Sequence, residues 1–455
     1  MKHDIFGQET SLAHQGSVED WNACMLAFLA HSATTPQHLG RVLEAEPGFA
    51  LGHAVKGMFY ILLGRRELYD TAIDALQVAR TAEAQAKITK REQRYVRALE
   101  IWLGGQPSGA IDELEAVLLD HPEDTLAMKL SHAIRFVLGD AKGMRQSVER
   151  VMPAYAPEHA GRGYLLGCHS FALEETGEYQ RAEIAGRQAL WMAPDDAWGL
   201  HAVAHVHDMT ANAAQGIEWL TGREAAWEHC NNFRYHVWWH KALMHLDLGQ
   251  TDLVLDLYDR EIRKDQTDDY RDISNATSLL MRLELDGVNV GDRWEELSDI
   301  SATRTEDGCL IFADLHYLLA LTGDRRPDAA TRMLRRIAQD ASKNDEVSAR
   351  MGDPGLAAAN GLEAFGDARY CDAFHNLSSA RGAMQLAGGS HAQRDVFERL
   401  TIDAGIRAGL LDQAELILNE RQAKRAGRED GYTAARRALI AAGRGEETVQ
   451  SVPAQ

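Results

Sequence analysis

The feature of this chain that most constrains its fold is a repeated pattern of two helices joined by a tight turn. The clearest copy is GYLLGCHSFALEETGEYQRAEIAGRQALWMAPDDAW, residues 163–198. It has a Gly-Glu-Tyr turn that starts at Gly177, small residues at Ala182 and Ala189, and Pro194 after the second helix. Small residues let two antiparallel helices approach closely, and proline stops a helix because it lacks the amide proton. The stretch therefore predicts one unit of a stacked array of helix pairs.

The pattern recurs along the chain. Residues 235–262 repeat it with a turn at Gly249, and weaker copies cover residues 108–128 and residues 309–338, the latter with a turn at Gly323. Further helix pairs fill residues 50–86 and residues 392–443, the latter with a turn at Gly409. Only 10 of the 455 residues are proline, and no segment shows the alternation of a strand. We therefore predict an all-α fold: a single continuous tetratricopeptide-like solenoid of about a dozen helix pairs over residues 1–442. A C-terminal tail follows over residues 443–455.

Charge and cysteine usage narrow the classes of function. The chain has 48 basic and 68 acidic side chains, a formal net charge of −20, which disfavours attraction to nucleic-acid phosphates or anionic lipid. No stretch approaches the roughly eighteen apolar residues of a membrane span, and residues 1–31 lack the regions of a signal peptide. The five cysteines form no C-x-x-C pair, which argues against disulfides and a thiolate zinc site. We predict a cytoplasmic protein without nucleic-acid or membrane partners.

Histidines are concentrated in the middle of the chain. Seven of the 19 fall within residues 201–245, and three of them lie in the short stretch HAVAHVHDM. A helix turns by about 100° per residue, so His201 and His205 point the same way, whereas His207 is turned away from them. In the register of the preceding repeat, the first two occupy the fifth and ninth positions of a first helix. These positions commonly face the concave surface, where repeat proteins bind their ligands.

A second pair with the same spacing, His236 and His240, follows one repeat later and is flanked by Trp239. The first helices of neighbouring repeats run side by side, so we expect the two pairs to converge. Further on, FADLHYLLALTGD contributes Asp314 and His316. These two lie about 160° apart on a helix, so at most one joins a given face, and we choose His316.

Three interpretations of these histidines remain open. Two H-x-x-x-H pairs on neighbouring helices can bind zinc, copper, iron or nickel through neutral imidazoles, although Ala202 replaces the glutamate of the metalloprotease pattern H-E-x-x-H. Without a metal, the imidazoles can act as general acid and base or grip an anionic small molecule. The third interpretation is structural packing across the repeats. The sequence identifies no particular metal or cofactor.

The segment GGSHAQRDVFERL, residues 388–400, is a further candidate. It predicts a helix that Ser390 caps. Arg394 and Asp395 on this helix either form a network that reaches the site or tether a terminal helix. The tryptophans of the middle third are either core residues or the aromatic wall of a small-molecule pocket.

Several blocks of the sequence resemble one known family. PDDAWGLHAVAHVHDM, YHVWWHKAL, DGVNVGDRW, FADLHYLLA and GGSHAQRDVF are similar in order and spacing to the family of tetratricopeptide repeat protein 38, and weaker similarity extends through TKREQRYVRALE and SHAIRFVLGD. The resemblance covers residues 20–440. It implies an all-helical repeat fold with a shared central site, and little about a reaction. The motif residues that carry over are His132, His201, His205, His207, His236, His240, His316, Asp314, Arg394 and Asp395, whereas His169 and His245 lie outside the pattern.

We predict that the solenoid curls tightly enough to enclose a pocket in its middle third, and that this pocket binds or transforms a small molecule. The candidate catalytic residues are His201, His205, His236, His240 and His316, and the candidate substrate contacts are Trp239, His132, Asp314, Arg394 and Asp395. Hydrolysis or another proton transfer is the most economical reaction, and the residues leave open whether the protein is an enzyme. The alternative is a scaffold that binds a peptide of a protein partner in the concave groove, for which Asn, Lys or Arg would be expected on the inner face.

Overall fold

A computed structural model describes residues 2–445 as stacked pairs of antiparallel helices. In chain order the α-helices are α1 (Gln15–Leu29), α2 (Thr35–Ala45), α3 (Ala50–Leu62), α4 (Arg66–Gln85), α5 (Lys90–Leu103), α6 (Pro107–Asp120), α7 (Thr125–Leu138), α8 (Ala141–Val151), α9 (Arg162–Glu175), α10 (Tyr179–Met192), α11 (Ala197–Met209), α12 (Ala213–Leu220), α13 (Phe233–Asp247), α14 (Thr251–Leu257), α15 (Tyr270–Leu285), α16 (Arg293–Thr303), α17 (Ile311–Gly323), α18 (Pro327–Asp340), α19 (Glu346–Arg350), α20 (Ala357–Gly366), α21 (Tyr370–Ala380), α22 (His391–Arg407), α23 (Leu411–Lys424) and α24 (Gly431–Arg444). The predicted all-α fold is confirmed.

Minor elements complete the described residues. Two short strands, β1 (Lys2–His3) and β2 (Glu9–Thr10), pair antiparallel before the first helix. Turns of 3₁₀ helix lie at Met152–Ala154, Glu224–Ala226 and Arg381–Ala387, and π-helical turns at Tyr258–Ile262 and Met351–Leu356. Within residues 2–445, no helix has both the length and the hydropathy that a bilayer crossing demands. Of the predicted tail, residues 446–455 lie outside the described residues.

The local sequence explains how the helices pair. In the unit formed by α9 and α10, Gly177 makes the turn with φ of +82°, a conformation that a β-carbon disfavours. Ala182 and Ala189 are fully buried where the two helices meet, and α10 ends at Met192, two residues before Pro194. The predicted unit at residues 163–198 is therefore confirmed in its helices, turn and stop.

Three of the weaker predicted units differ in detail from the structure. Gly323 is not the turn but the last residue of α17, and the left-handed turn conformation falls on Arg325 with φ of +55°. Residues 108–128 hold α6 and the start of α7, which belong to successive pairs, and residues 392–443 hold three helices. Glycine marks a bend in the chain, but only packing decides which residue near the glycine adopts the strained conformation.

The first helices of the pairs form the inner layer of the superhelix, in which α9, α11, α13, α15 and α17 lie side by side. Two contacts then close this layer on itself. The loop after α1 pairs with the loop before α13, because Asn231 N donates to the His31 carbonyl at 2.8 Å and Ala33 N to the His229 carbonyl at 3.1 Å. The N-terminus of α22 docks on the end of α9, where His391 N donates to Glu175 Oε1 at 2.7 Å. The concave side is therefore enclosed.

Candidate functional site

The two histidine pairs predicted from the sequence meet between α11 and α13. Nε2 of His201 lies 2.8 Å from Nε2 of His205 and 3.2 Å from Nε2 of His236. Nε2 of His236 also lies 3.2 Å from Nε2 of His240. One nitrogen of each ring is within 4.8 Å of the other three, and we call these residues the four-histidine cluster. His201 and His205 are the fifth and ninth residues of α11, as the repeat register predicted.

Side chains behind the cluster hold its rings in place. Nδ1 of His236 donates to Oδ1 of Asn275 at 2.9 Å, and the ring stacks on Trp239 with centroids 5.2 Å apart. Nδ1 of His205 faces Oε2 of the buried Glu174 at 3.5 Å. An amide oxygen only accepts hydrogen bonds, so the contact with Asn275 places the ring proton on Nδ1 and leaves the Nε2 lone pair facing the cluster.

The interior keeps these imidazoles neutral. Burial, reinforced by neighbouring histidines, lowers the pKa of His201, His205 and His240 well below the ordinary value. Burial also lowers the pKa of His236 to about 4. A neutral imidazole has a free lone pair, with which it binds a transition metal or accepts a proton. Glu174, Glu175 and His205 form a second group of ligand atoms within 4.8 Å of one another.

The four-histidine cluster borders a cavity of about 540 Å³ on the concave side. His201 and His236 line the cavity, whereas His205 and His240 lie deeper and are fully buried. Much of the wall is aromatic and comes from both halves of the chain: Phe28, Phe59, Phe136, Phe171, Trp198, Phe233, Tyr270 and Phe312. Pockets for small molecules typically have volumes of about 300–1,000 Å³ and apolar walls with a few polar groups.

The wall of the cavity carries positive charge and, among the described residues, no carboxylate. Its cations are Lys129, Arg234 and Arg271, in a chain whose formal net charge is −20. Arg234 pairs with Asp265, and Arg271 pairs with Asp269. The charges of both arginines are therefore balanced by carboxylates outside the wall.

Lys129 on α7 differs from these arginines. Its side chain is buried, with Nζ 4.6 Å from the centre of the Trp198 ring and 3.9 Å from Sγ of Cys168, and no carboxylate of the described residues lies within ion-pair distance. The charge of Lys129 acts on Asp196, whose pKa burial nevertheless raises to about 7. A buried ammonium without an ion-pair partner is costly. An anion inside the cavity would supply that partner.

The structure places other predicted residues at varying distances from the cavity. His132 lines it, with its ring edge-on to Trp198, and Trp239 lies behind the four-histidine cluster. His316 does not line the cavity, because its Nδ1 donates to the Phe312 carbonyl at 2.7 Å within α17. Asp314 does not line it either, because it forms a buried ion pair with Arg336 at 2.6 Å. Spacing on a helix could not reveal these partners.

Ser390, Arg394 and Asp395 belong to the start of α22. Ser390 caps the helix as predicted, by accepting a hydrogen bond from the backbone of the third helical residue. Arg394 approaches Glu175 at 3.3 Å, and Asp395 pairs with Arg421 at 2.6 Å. Both line a separate cavity of about 230 Å³, so neither contacts the larger one.

Three further histidines of the middle region point away from the cluster. His207 packs against Gly216 of α12, as its rotation on α11 predicted. His169 pairs with Glu149 at 3.2 Å, and His245 bonds a loop glutamine. None of the three lines the large cavity within residues 2–445.

Sequence reasoning missed Lys129, Glu174, Asn275 and His31. Lys129 had a signal, since it is the one cation in the apolar run TLAMKLSHA, three residues before His132 and therefore on the same helix face. No sequence signal pointed to Glu174, because a glutamate before a turn is usually exposed to solvent. His31 reaches the wall of the cavity only through the contact between loops 200 residues apart.

No family model matches the chain. Among solved structures it is similar to one described as "Human IFIT1 dimer with m7Gppp-AAAA", with 13% identity, 96% of each chain covered and a TM-score of 0.38. At this identity and TM-score the similarity carries no argument about function. The stacked helix pairs themselves make the chain a tetratricopeptide-like helical-repeat protein, and the resemblance to the family of tetratricopeptide repeat protein 38 stays a prediction from the sequence.

Proposed function

We propose that the cavity binds a small organic anion with an apolar body, and that the histidines at its wall can transform this ligand by proton transfer or hydrolysis. One observation carries the proposal: a single cavity on the concave side combines an aromatic wall, the buried ammonium of Lys129 and two members of the four-histidine cluster, His201 and His236. Aromatic side chains bury a large apolar area, and a charge-assisted hydrogen bond to an anion is stronger than a neutral one.

Two histidines line the cavity, and the chemistry would fall to His201, because Asn275 and the neighbouring histidines occupy both ring nitrogens of His236. His201 and His236 are neutral at physiological pH, because burial lowers the pKa of both side chains. A neutral imidazole in contact with a ligand or a water molecule can act as a general base. The resemblance to the tetratricopeptide repeat protein 38 family supports the proposal, since it too implies a central site that contains these histidines.

The alternative function, a scaffold that binds a peptide in an open groove, has less support. An extended peptide needs a groove with free ends, whereas the loops at Ser32 and Cys230 pair across the concave side. The wall of the cavity also contains side chains of the kinds that grip a peptide backbone: Asn231, Asn232, Lys129, Arg234 and Arg271. The two arginines already pair with carboxylates, however, and much of the remaining wall is aromatic. The contact between loops across the concave side is therefore the observation that favours a small molecule over an extended peptide.

A binding screen with matched compounds tests the proposal. Aromatic and aliphatic carboxylates and phosphate esters are compared with their neutral amides and alcohols by thermal shift, and hits are measured by calorimetry. The variants are Lys129→Met and the control Lys142→Met, since Lys142 is an exposed lysine on α8. A ligand at about 100 times its Kd stabilises the native state by about 2.7 kcal/mol.

We expect at least one anion to bind, Lys129→Met to weaken its binding by tenfold or more, and Lys142→Met to bind like the parent. Equal binding of anions and their neutral analogues, or equal binding by Lys129→Met and the parent, would contradict the anion proposal. A protein that binds no compound but copurifies with a stoichiometric protein partner would favour the scaffold instead.

A further inference from the structure

We propose that the four-histidine cluster binds one first-row transition-metal ion, with Zn²⁺ as the reference metal, through its four Nε2 atoms. The inference goes beyond the proposed function, because it holds whether or not the cavity takes an anion. It rests on the direction of the lone pairs, a buried carboxylate behind the cluster, the spacing of the nitrogens and the type of ligand atom.

The partners of two rings direct lone pairs into the cluster. Nδ1 of His236 faces the amide oxygen of Asn275, and Nδ1 of His205 faces the carboxylate of Glu174. The Asn275 oxygen only accepts, so the ring proton of His236 sits on Nδ1 and its Nε2 lone pair points inward. The charge of the Glu174 carboxylate favours the same tautomer of His205, although a separation of 3.5 Å is too long for a hydrogen bond. Without a metal, such lone pairs must accept from the Nε2–H groups of neighbouring rings, and a metal ion bound by all four Nε2 atoms would replace these donors. Metal-bound histidines usually have such a partner on the other ring nitrogen, which fixes the tautomer and orients the ring.

Glu174 is the second observation. Its side chain is fully buried, and neither carboxylate oxygen has a hydrogen-bond partner among the described residues. An isolated buried carboxylate is costly, and removing its counter-charge is strongly destabilising. Glu175 follows it directly in sequence, and the nearby Arg394 pairs with Glu175 at 3.3 Å rather than with Glu174. A divalent cation on the far side of His205 would supply the missing positive charge through the carboxylate–histidine–metal arrangement common in proteins.

Three of the six nitrogen–nitrogen spacings in the cluster are close to those of a tetrahedral site, and the ligand atoms all lie within 4.8 Å of one another. Zinc–nitrogen bonds of about 2.0–2.1 Å in a tetrahedron separate the ligand nitrogens by about 3.3–3.4 Å. The three close Nε2 pairs of the cluster measure 2.8, 3.2 and 3.2 Å. Bringing these three pairs to ideal spacing requires increases of about 0.6 Å or less, which rotations of side chains supply.

The ligand type selects the metal. Four neutral imidazoles offer nitrogen only, which suits Zn²⁺, Co²⁺, Ni²⁺ or Cu²⁺ and not the oxygen-seeking Mg²⁺ and Ca²⁺. No cysteine contributes to the cluster within residues 2–445. Since His201 and His236 also line the cavity, an ion held by the cluster would lie at its wall, within reach of a bound molecule.

Metal content tests the inference directly. Full-length protein without an affinity tag is purified without chelator, and its metals are counted by plasma mass spectrometry. Stripped protein is then titrated with Zn²⁺ by calorimetry and with Co²⁺ by visible absorption, which reports tetrahedral coordination. The test variant is His205→Ala/His240→Ala. The matched control is His169→Ala/His245→Ala, since these histidines lie outside the cluster.

We expect about one ion per chain in the parent and the control, and an affinity at least about 100-fold lower in the test variant. If that variant does not fold, Glu174→Gln replaces it, because the amide keeps the shape of the side chain and removes its charge. Glu174→Gln should weaken Zn²⁺ binding by about 10–100-fold while the protein remains folded by circular dichroism.

The inference fails if the stripped, folded parent binds Zn²⁺, Co²⁺, Ni²⁺ and Cu²⁺ no more tightly than these variants do. This outcome is separate from failure of the anion proposal. Lys129→Met should leave Zn²⁺ binding unchanged, because Lys129 is no part of the cluster.

Discussion

Two buried polar clusters of this protein differ in the interactions that their members make with one another. In the C-terminal ion-pair cluster, Arg421 contacts Asp395 at 2.6 Å and Asp430 at 2.8 Å, and Arg425 contacts Asp208 at 2.9 Å. Each carboxylate there faces a guanidinium. The four-histidine cluster instead gathers one kind of group, four neutral imidazoles that face each other.

The comparison distinguishes a cluster that stabilises the fold from a cluster whose groups are available to a ligand. Opposite charges in contact hold α11, α22 and α23 together. Because these charged groups already pair with one another, few of them are free to bind a ligand. Neutral imidazoles can donate to and accept from one another through Nε2, but Nδ1 of His201, His205 and His240 has no hydrogen-bond partner among the described residues. Proteins rarely keep buried polar atoms unpaired without a reason. In the sequence, both clusters are sets of polar residues in or next to helices. Only the partners of these residues in the structure distinguish a cluster that joins helices from a candidate binding site.

We expect the largest loss of unfolding free energy when the C-terminal ion-pair cluster is broken. Arg421→Ala leaves Asp395 and Asp430 buried with less positive charge around them, and breaking a buried ion pair costs about 3–5 kcal/mol. Urea unfolding at pH 7 measures the change in unfolding free energy, with Arg428→Ala, an exposed arginine in the loop between α23 and α24, as the control. A loss below 1 kcal/mol would show that this cluster does not tether the helices.

Lowering the pH should remove most of the difference in unfolding free energy between the parent and Arg421→Ala. Burial alone would raise the pKa of Asp395 and Asp430, but Arg421 and neighbouring arginines lower both below the ordinary value. A carboxylate with a lowered pKa stabilises the fold above about pH 4, and this contribution is lost as the pH falls further. The gap in unfolding free energy between parent and Arg421→Ala should stay constant from pH 7 to 5 and narrow towards pH 3. A gap that narrows already between pH 7 and 5 would point to other groups.

Urea unfolding of a variant in the four-histidine cluster should show a smaller loss of unfolding free energy. His205→Ala removes a neutral ring whose nitrogens pair with no charged group closer than 3.5 Å. In chelator-stripped protein we expect a loss of about 1–2 kcal/mol in the unfolding free energy, from packing alone. A loss as large as that of Arg421→Ala would make the histidines structural and erase the contrast between the clusters.

The smallest change in stability is expected at the cavity wall. Lys129→Met replaces a buried ammonium by an apolar side chain of similar length. Replacing a buried charge in this way is often neutral or stabilising, so we expect the unfolding free energy to stay level or rise by up to about 1 kcal/mol. Thermal unfolding without ligand measures it. A clear destabilisation would indicate that Asp196 depends on Lys129 and that the lysine is structural.

The repeat pattern predicted the fold well because helix pairs are local structures. Gly177, Pro194 and the small residues between them specify one pair without reference to the rest of the chain. The prediction was wrong at Gly323, where two neighbouring positions compete for the turn and packing of α17 decides. Element type follows from composition and periodicity, whereas turn positions depend on contacts between repeats.

The convergence of the histidines was also predictable, since two i, i+4 pairs on adjacent helices have few ways to avoid each other. Other parts of the site were not. Asp314 and Asp395 looked available, but Arg336 and Arg421 neutralise them from helices 22 and 26 residues further along the chain. Lys129 and His31 reach the cavity because the superhelix closes, and closure leaves no local mark in the sequence.

The pairing of the loop at His31 with the loop at Asn231 has a consequence for how the molecule forms. An open solenoid behaves as a one-dimensional chain that can grow and fray from either end. Here the first and middle repeats must meet, and the segment at Ser390 must then dock, before the cavity has a complete wall. Such distant contacts slow folding and make unfolding more cooperative. On the ribosome, the wall of the cavity can therefore be completed only after the segment up to Gln393 has emerged.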